Sequence, residues 1–181
     1  MIARKGMIAA LCAAFALAGC GGAGMTYDGP GARPASTPRA VPADTLISLE
    51  RTECFGTCPV YKVTISADGT VTFDGKRLVE KTGVAEGRIS REEVGELIAG
   101  FEAANYFSLK DAYTPDSGHC PEVATDHPSA NTSIRVGGKF KSVQHYHGCT
   151  GLKEELKDLT ALENRIDEIA NTRQWIGAAA R

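Results

Sequence analysis

Two runs of alternating apolar and polar residues, joined by an Asp-Gly pair, place the strongest restriction on the fold of this chain. The apolar positions in these runs are Tyr61, Val63, Ile65, Val71 and Phe73. Asp68-Gly69 separates the runs, and glycine accepts the positive φ that a tight hairpin needs. A second pair, Asp74-Gly75, precedes Leu78 and Val79. We therefore expect an antiparallel meander in which both Asp-Gly pairs form turns.

A strand and a helix flank the meander. Residues 45–52 carry the apolar stretch Leu46–Leu49 and are expected to form the first strand. Residues 90–107 change to a period near 3.6, with Val94, Leu97, Ile98 and Phe101 on one face. Ser90 and Glu93 have the spacing of a capping box, which predicts that a helix begins there.

A second hairpin is expected around Gly137-Gly138. Its register is open, because a two-residue loop places Ile134 opposite Lys141, whereas a three-residue loop places Val136 opposite Phe140.

A final amphipathic helix is expected from Leu152 to Ala170. Its apolar residues recur at spacings of three and four: Leu152, Leu156, Leu159, Leu162, Ile166 and Ile169. The element order is then β-β-β-β-α-β-β-α. Two helices packed on a sheet built from a meander and a later hairpin make an α+β domain.

The N-terminus has the pattern of an export signal. Arg4 and Lys5 precede twelve apolar residues, which are too few to span a bilayer but typical of a signal peptide. The run ends in Leu17-Ala18-Gly19-Cys20, which resembles the lipobox of bacterial lipoproteins. This resemblance implies a signal peptide at residues 1–19, a lipid on Cys20 and an outer-membrane location facing the periplasm.

The segments after the leader differ sharply in composition. Residues 20–44 are rich in Gly, Pro and Ala and lack an apolar period, as expected for a flexible lipid-anchored tether. Residues 45–177 have a length typical of one domain. The formal charge of −2 and the lack of a basic stretch argue against binding of nucleic acid.

Four separated sequence blocks resemble the domain-of-unknown-function family numbered 6438. They are CFGTCPVYKVTISADGTVTFDG, FEAANYFSLKDAYT, SIRVGGKFKSVQHYHG and NTRQWIG, and they extend over most of the chain from about Leu46 to Gly177. The resemblance implies an exported or lipid-anchored bacterial protein with this αβ layout. The family has no assigned activity, so the resemblance leaves the function open and transfers no catalytic residue to this chain.

Four cysteines remain after the leader and Cys20: Cys54, Cys58, Cys120 and Cys149. In an oxidising compartment we expect two disulfides, with three pairings possible. A bent loop containing Gly56 would allow Cys54 to reach Cys58, and Cys120 would then pair with Cys149.

Metal binding is the main alternative use of these residues. His145 and His147 alternate with other residues on one strand, and His119 could approach from the loop at 110–129. Zinc or copper accepts such imidazoles together with cysteine thiolates. Cys54 and Cys58 also resemble the motif of thioredoxin-like copper chaperones, but a strand follows the second cysteine where that fold has a helix.

No phosphate loop, metalloprotease motif or dinucleotide fingerprint is present. The acidic residues of the loop at 110–129 suggest a small periplasmic hydrolase as a further alternative. The main expectation is a non-enzymatic binding or structural module without a cofactor, anchored to the membrane and presenting a sheet face or this loop to an envelope partner.

Overall fold

A computed structural model describes residues 40–177. The predicted signal peptide, Cys20 and most of the predicted tether lie outside these residues. The described strands are β1 (Leu46–Arg51), β2 (Val60–Ser66), β3 (Thr70–Arg77), β4 (Gly83–Arg88), β5 (Ala112–Tyr113), β6 (Ser129–Val136) and β7 (Lys139–Tyr146). The α-helices are α1 (Arg91–Ala103), α2 (Lys157–Ile169) and α3 (Arg173–Ile176), and short 3₁₀ helices occupy Tyr106–Ser108 and Thr150–Leu152.

The seven described strands form one sheet in the order β4-β3-β2-β1-β6-β7-β5. All neighbours are antiparallel except β5, which runs parallel to β7 at the edge. The helices pack on the sheet around a core that includes Ile47, Val63, Phe101 and Ile166. The α+β prediction is confirmed, with β5 and α3 as additions that the sequence did not indicate.

The start of α1 follows the sequence pattern. The Ser90 hydroxyl accepts a hydrogen bond from the Glu93 backbone N–H, and the Glu93 carboxylate accepts one from the Ser90 backbone N–H. The helix ends earlier than the predicted position 107, because Asn105 takes a φ of 48° and leads into a 3₁₀ turn. The capping box is confirmed, and the predicted end is wrong.

The two Asp-Gly pairs have different roles. Gly69 has a φ of 84° in the turn between β2 and β3, as predicted. Asp74-Gly75 lies inside β3, so the second predicted turn is wrong. A side chain at Gly75 would collide with the Lys81 carbonyl, which shows that this glycine permits a close backbone approach rather than a reversal of the chain.

The second hairpin has the two-residue loop. Ile134 lies opposite Lys141, and Gly137 and Gly138 have φ values of 56° and 77°. Positive φ at both central residues is typical of the type I′ turns that suit twisted strands.

The last helix begins later than predicted. Thr150 N–H donates to the Glu122 carbonyl, and Cys149 forms an isolated bridge with Val123. These contacts hold the chain against the loop at 110–129, and α2 becomes regular only at Lys157.

Two disulfides are formed. Cys54 pairs with Cys58 at a Cα separation of 5.7 Å, and Cys120 pairs with Cys149 at 5.3 Å. The first closes a small loop before β2, and the second attaches the loop at 110–129 to the segment after β7. None of the described helices combines the length and apolar character needed to cross a membrane.

Candidate metal centre

The candidate site begins with one row of residues that crosses the sheet. Tyr61 on β2 lies opposite Arg51 on β1, Arg51 opposite Ala130 on β6, and Ala130 opposite His145 on β7. Directly paired residues share a face of the sheet, so this row points together toward the helices. Ala130 is fully buried and small, and it separates the two long polar side chains of Arg51 and His145.

Helix α2 supplies two carboxylates above this row. Glu163 and Asp167 are four residues apart and therefore lie one turn apart on the same helix face. The chain thus places two acids of α2 over the tyrosine, arginine and histidine of the sheet.

Asp167 binds the β1 and β2 side of the row. Its carboxylate accepts hydrogen bonds from Tyr61 Oη at 2.6 Å and from Arg51 Nη2 at 2.9 Å. The Thr172 hydroxyl donates a further bond at 3.0 Å. Burial and the neighbouring Asp167 carboxylate raise the pKa of Tyr61, so its phenol stays protonated and donates.

Glu163 binds the β7 side. Glu163 Oε1 lies 2.8 Å from His145 Nδ1, and Glu163 Oε2 lies 3.0 Å from His147 Nε2. Each carboxylate oxygen therefore contacts one imidazole. The Glu163 side chain is fully buried, whereas that of His147 is 26 % exposed. Burial by itself would raise the pKa of Glu163, but the hydrogen bonds and charges of the two histidines bring it below its usual value. The carboxylate is therefore ionised inside the protein.

These three side chains have the spacing of a metal site. One ligand atom from each of His145, His147 and Glu163 can be chosen so that all lie within 4.8 Å of one another. Two imidazoles and a carboxylate are a donor set that zinc and copper(II) accept.

A family model described as Domain of unknown function (DUF6438) matches residues 45–170. The chain belongs to the DUF6438 family. The three candidate ligands, His145, His147 and Glu163, lie within the matched segment of this DUF6438 domain. A search of curated proteins finds no match.

A cavity in the DUF6438 domain reaches the histidines from solvent. Its volume is about 340 Å³. The residues that line it include His145, His147, Cys149, Lys153, Lys157 and Thr160. The centre thus lies behind the two imidazole rings, and His147 forms the partly exposed side of it.

The sequence-predicted ligands are only partly brought together. His145 and His147 converge, with ring centroids 4.6 Å apart. His119 instead lines a different cavity with Lys110 and Asp111, and its ring lies 6.5 Å from that of Tyr113. The four cysteines are in disulfides, so the expected thiolate ligands are replaced by Glu163.

The acidic residues of the loop at 110–129 do not assemble into a comparable group within residues 40–177. Asp111 pairs with Lys141, and Asp116 accepts a hydrogen bond from Thr114. The hydrolase built on this loop stays a prediction.

Glu163 is the functional candidate that the sequence reasoning missed. It follows Leu159 by four positions and precedes Ile166 by three, so it lies in the apolar stripe of α2 rather than on its charged face. An acidic residue at a position expected to be buried was the available signal, because such a group needs a partner.

Proposed function

We propose that this chain is a lipid-anchored protein of the cell envelope whose DUF6438 domain binds a divalent transition-metal ion. Zinc or copper(II) is the expected ion, and His145, His147 and Glu163 are the expected ligands. The observation that carries the proposal is the convergence of two imidazoles on one buried, ionised carboxylate.

The Glu163 carboxylate supplies the negative charge that a cation needs, although Arg51 also contributes a positive charge nearby. The Arg51 guanidinium lies 2.9 Å from Asp167 and 3.7 Å from Glu163, so its closer partner is Asp167. The hydrogen bonds to the Glu163 carboxylate come from the two imidazoles, and its contact with Arg51 is a longer ion pair. A buried carboxylate needs a compensating charge, which either imidazole protons or a metal ion can supply.

The distances are close to those of a coordinated ion. Tetrahedral zinc with ligands at roughly 2.0–2.1 Å separates its ligand atoms by about 3.3 Å. The two nitrogen–oxygen distances are 2.8 and 3.0 Å. An opening of a few tenths of an ångström would therefore make room for an ion, and each ring would then carry its proton on the opposite nitrogen.

The disulfides bear on the choice of metal. Copper(I) prefers thiolate and thioether ligands, but both described cysteine pairs are oxidised. Imidazole and carboxylate suit zinc and copper(II) better.

Zinc titration of the full chain by isothermal calorimetry tests the metal proposal. We expect one ion per chain. His145→Ala and Glu163→Gln should each weaken zinc binding by more than about 100-fold, because loss of a direct ligand costs more than loss of a residue that only orients a ligand. His119→Ala and His127→Ala are matched controls, because neither residue belongs to the centre. Unchanged zinc affinity in folded His145→Ala protein would refute the proposal.

The lipid anchor is a separate part of the proposal. It is supported by the lipobox-like Leu17-Ala18-Gly19-Cys20 and the Gly/Pro/Ala-rich segment that follows. We expect Cys20→Ser to abolish labelling by fatty acid and to release the domain from the membrane fraction, with Cys12→Ser as the control. Membrane retention of the Cys20→Ser protein would count against lipidation.

A binding surface for an envelope partner is a second candidate function. It is favoured by a row of hydroxyl side chains across five strands, on the opposite face of the sheet from Arg51 and His145. The row consists of Thr72, Thr64, Ser48, Ser133 and Ser142, which are paired in register. A photo-crosslinker at Thr64 should capture a discrete partner that a crosslinker at exposed Glu96 does not capture; equal yields would remove this candidate.

A further inference from the structure

The two ring nitrogens that do not face Glu163 are available to a ligand. His145 binds Glu163 through Nδ1 and His147 through Nε2, which leaves His145 Nε2 and His147 Nδ1 without a hydrogen bond among the described residues. No buried side-chain nitrogen or oxygen of the described residues lacks a partner. These two nitrogens must therefore be accessible, and the cavity that both rings line provides the access. His145 as a whole is only 5 % exposed.

The wall of the cavity is positively charged. Lys153 and Lys157 line it, both are exposed, and neither pairs with a described residue. No acidic side chain of the described residues lines the cavity. Helix α2 also begins at this wall without a capping side chain, so its positive end adds to the same field.

We infer that the cavity binds an oxyanion, such as a sulfate, phosphate or carboxylate group, in contact with Lys153, Lys157 and the outward ring nitrogens of His145 and His147. This inference rests on the proposed function in one respect, which is its coupling to the metal. A metal on His145 Nδ1 and His147 Nε2 requires each ring to carry its proton on the opposite nitrogen. Both cavity-facing nitrogens then become donors, as an anion requires.

Metal and anion should consequently bind with positive cooperativity. The ion sets both imidazoles as donors and adds positive charge behind them, whereas the metal-free rings can present a lone pair to the cavity. Because coupling between two sites is reciprocal, the anion must strengthen metal binding by the same factor.

Calorimetric titration of sulfate and of acetate into the zinc-loaded and the zinc-free full chain tests the inference. The two probes distinguish a tetrahedral oxyanion from a carboxylate, and choline chloride serves as the cation control. We expect binding of at least one of the two anions, at least about fivefold tighter in the zinc-loaded protein. Lys153→Gln/Lys157→Gln should weaken anion binding about tenfold or more and leave one zinc bound per chain. Lys62→Gln, an exposed lysine on β2 that does not line the cavity, should change it less than twofold.

The outcomes separate the two proposals. Zinc binding without anion binding, or anion binding that the double lysine variant leaves unchanged, overturns the anion site alone. Lysine-dependent anion binding in a protein that takes up no zinc supports the anion site and overturns the metal centre. Equal anion affinity with and without bound zinc overturns the coupling.

Discussion

Arg51 organises the polar residues between the sheet and α2. It contacts Asp167 through two nitrogens and lies near Glu163 through a third, while its strand neighbour Ala130 leaves room beside it. Arg51 stays protonated at any physiological pH, so its hydrogen bonds hold Asp167 in place throughout that range. Glu163 differs from Asp167, because its imidazole partners can gain or lose a proton or bind a metal ion.

Asp68 provides a pH-dependent prediction away from the centre. Hydrogen bonds from the Ser66 hydroxyl and the Thr70 backbone lower the pKa of Asp68. Since the folded pKa is lowered, the stability that Asp68 contributes is present above its unfolded pKa of about 3.9 and is lost as the pH falls through the folded value. Ser66→Ala should raise the pKa of Asp68, as measured by NMR titration of its carboxyl carbon, and the stability difference from wild type should shrink below about pH 3.9.

Ser142→Ala is the matched control, because Ser142 bonds to Thr132 and not to Asp68. An unchanged Asp68 titration in Ser66→Ala would show that the turn hydroxyl does not set this pKa.

The two disulfides close loops of very different length. Cys54–Cys58 joins residues four positions apart, and Cys120–Cys149 joins residues 29 positions apart. On the chain-entropy model the shorter closure contributes roughly 2 kcal/mol and the longer one roughly 3.5 kcal/mol to the free energy of unfolding. The longer bridge also keeps the loop at 110–129 next to the cavity, because Cys149 lines it.

We therefore expect Cys120→Ala/Cys149→Ala to lower the free energy of unfolding by about 1.5 kcal/mol more than Cys54→Ala/Cys58→Ala. Urea denaturation of the two double variants measures this difference. A larger loss from the small loop would contradict the entropic account.

The elements show which features a sequence can specify. The Ser90–Glu93 capping box and the Asp68-Gly69 turn are local, and both were predictable. Gly75 was misread because the Lys81 carbonyl that approaches it belongs to the next segment. The start of α2 was misplaced because the contact of Thr150 with Glu122 is tertiary.

The candidate centre also combines residues that a local pattern predicts with one that only tertiary packing brings in. His145 and His147 were predictable as neighbours because their spacing is two, although β7 ends at Tyr146 and His147 directly follows it. Glu163 comes from α2, and only the packing of that helix on β7 brings it to 2.8 Å from His145. His119 lies outside this cluster in the described structure, and the position of the loop that carries it is not encoded in a local pattern.

For the whole molecule, a metal bound between β7 and α2 should stabilise the fold. A ligand that binds only the folded state at 100 times its dissociation constant adds about 2.7 kcal/mol to the free energy of unfolding. We expect zinc at that excess to raise the melting temperature of the full chain, measured by circular dichroism, by roughly 8–14 °C. Glu163→Gln should lose this shift and His119→Ala should retain it; an equal shift in Glu163→Gln would place the ion elsewhere.

The position of Trp175 gives this protein a built-in optical reporter. It is the single tryptophan of the chain, 8 % exposed, stacked on Phe73 at 5.0 Å and in contact with Gly87. Four strand spacings of about 4.8 Å separate β3 from β7, so an ion at the histidines would sit some 19 Å from the indole across the sheet. Its emission should remain blue and unquenched when copper(II) loads the domain. A red shift should appear only when the indole becomes hydrated, so the shift reports loss of structure and not metal loading.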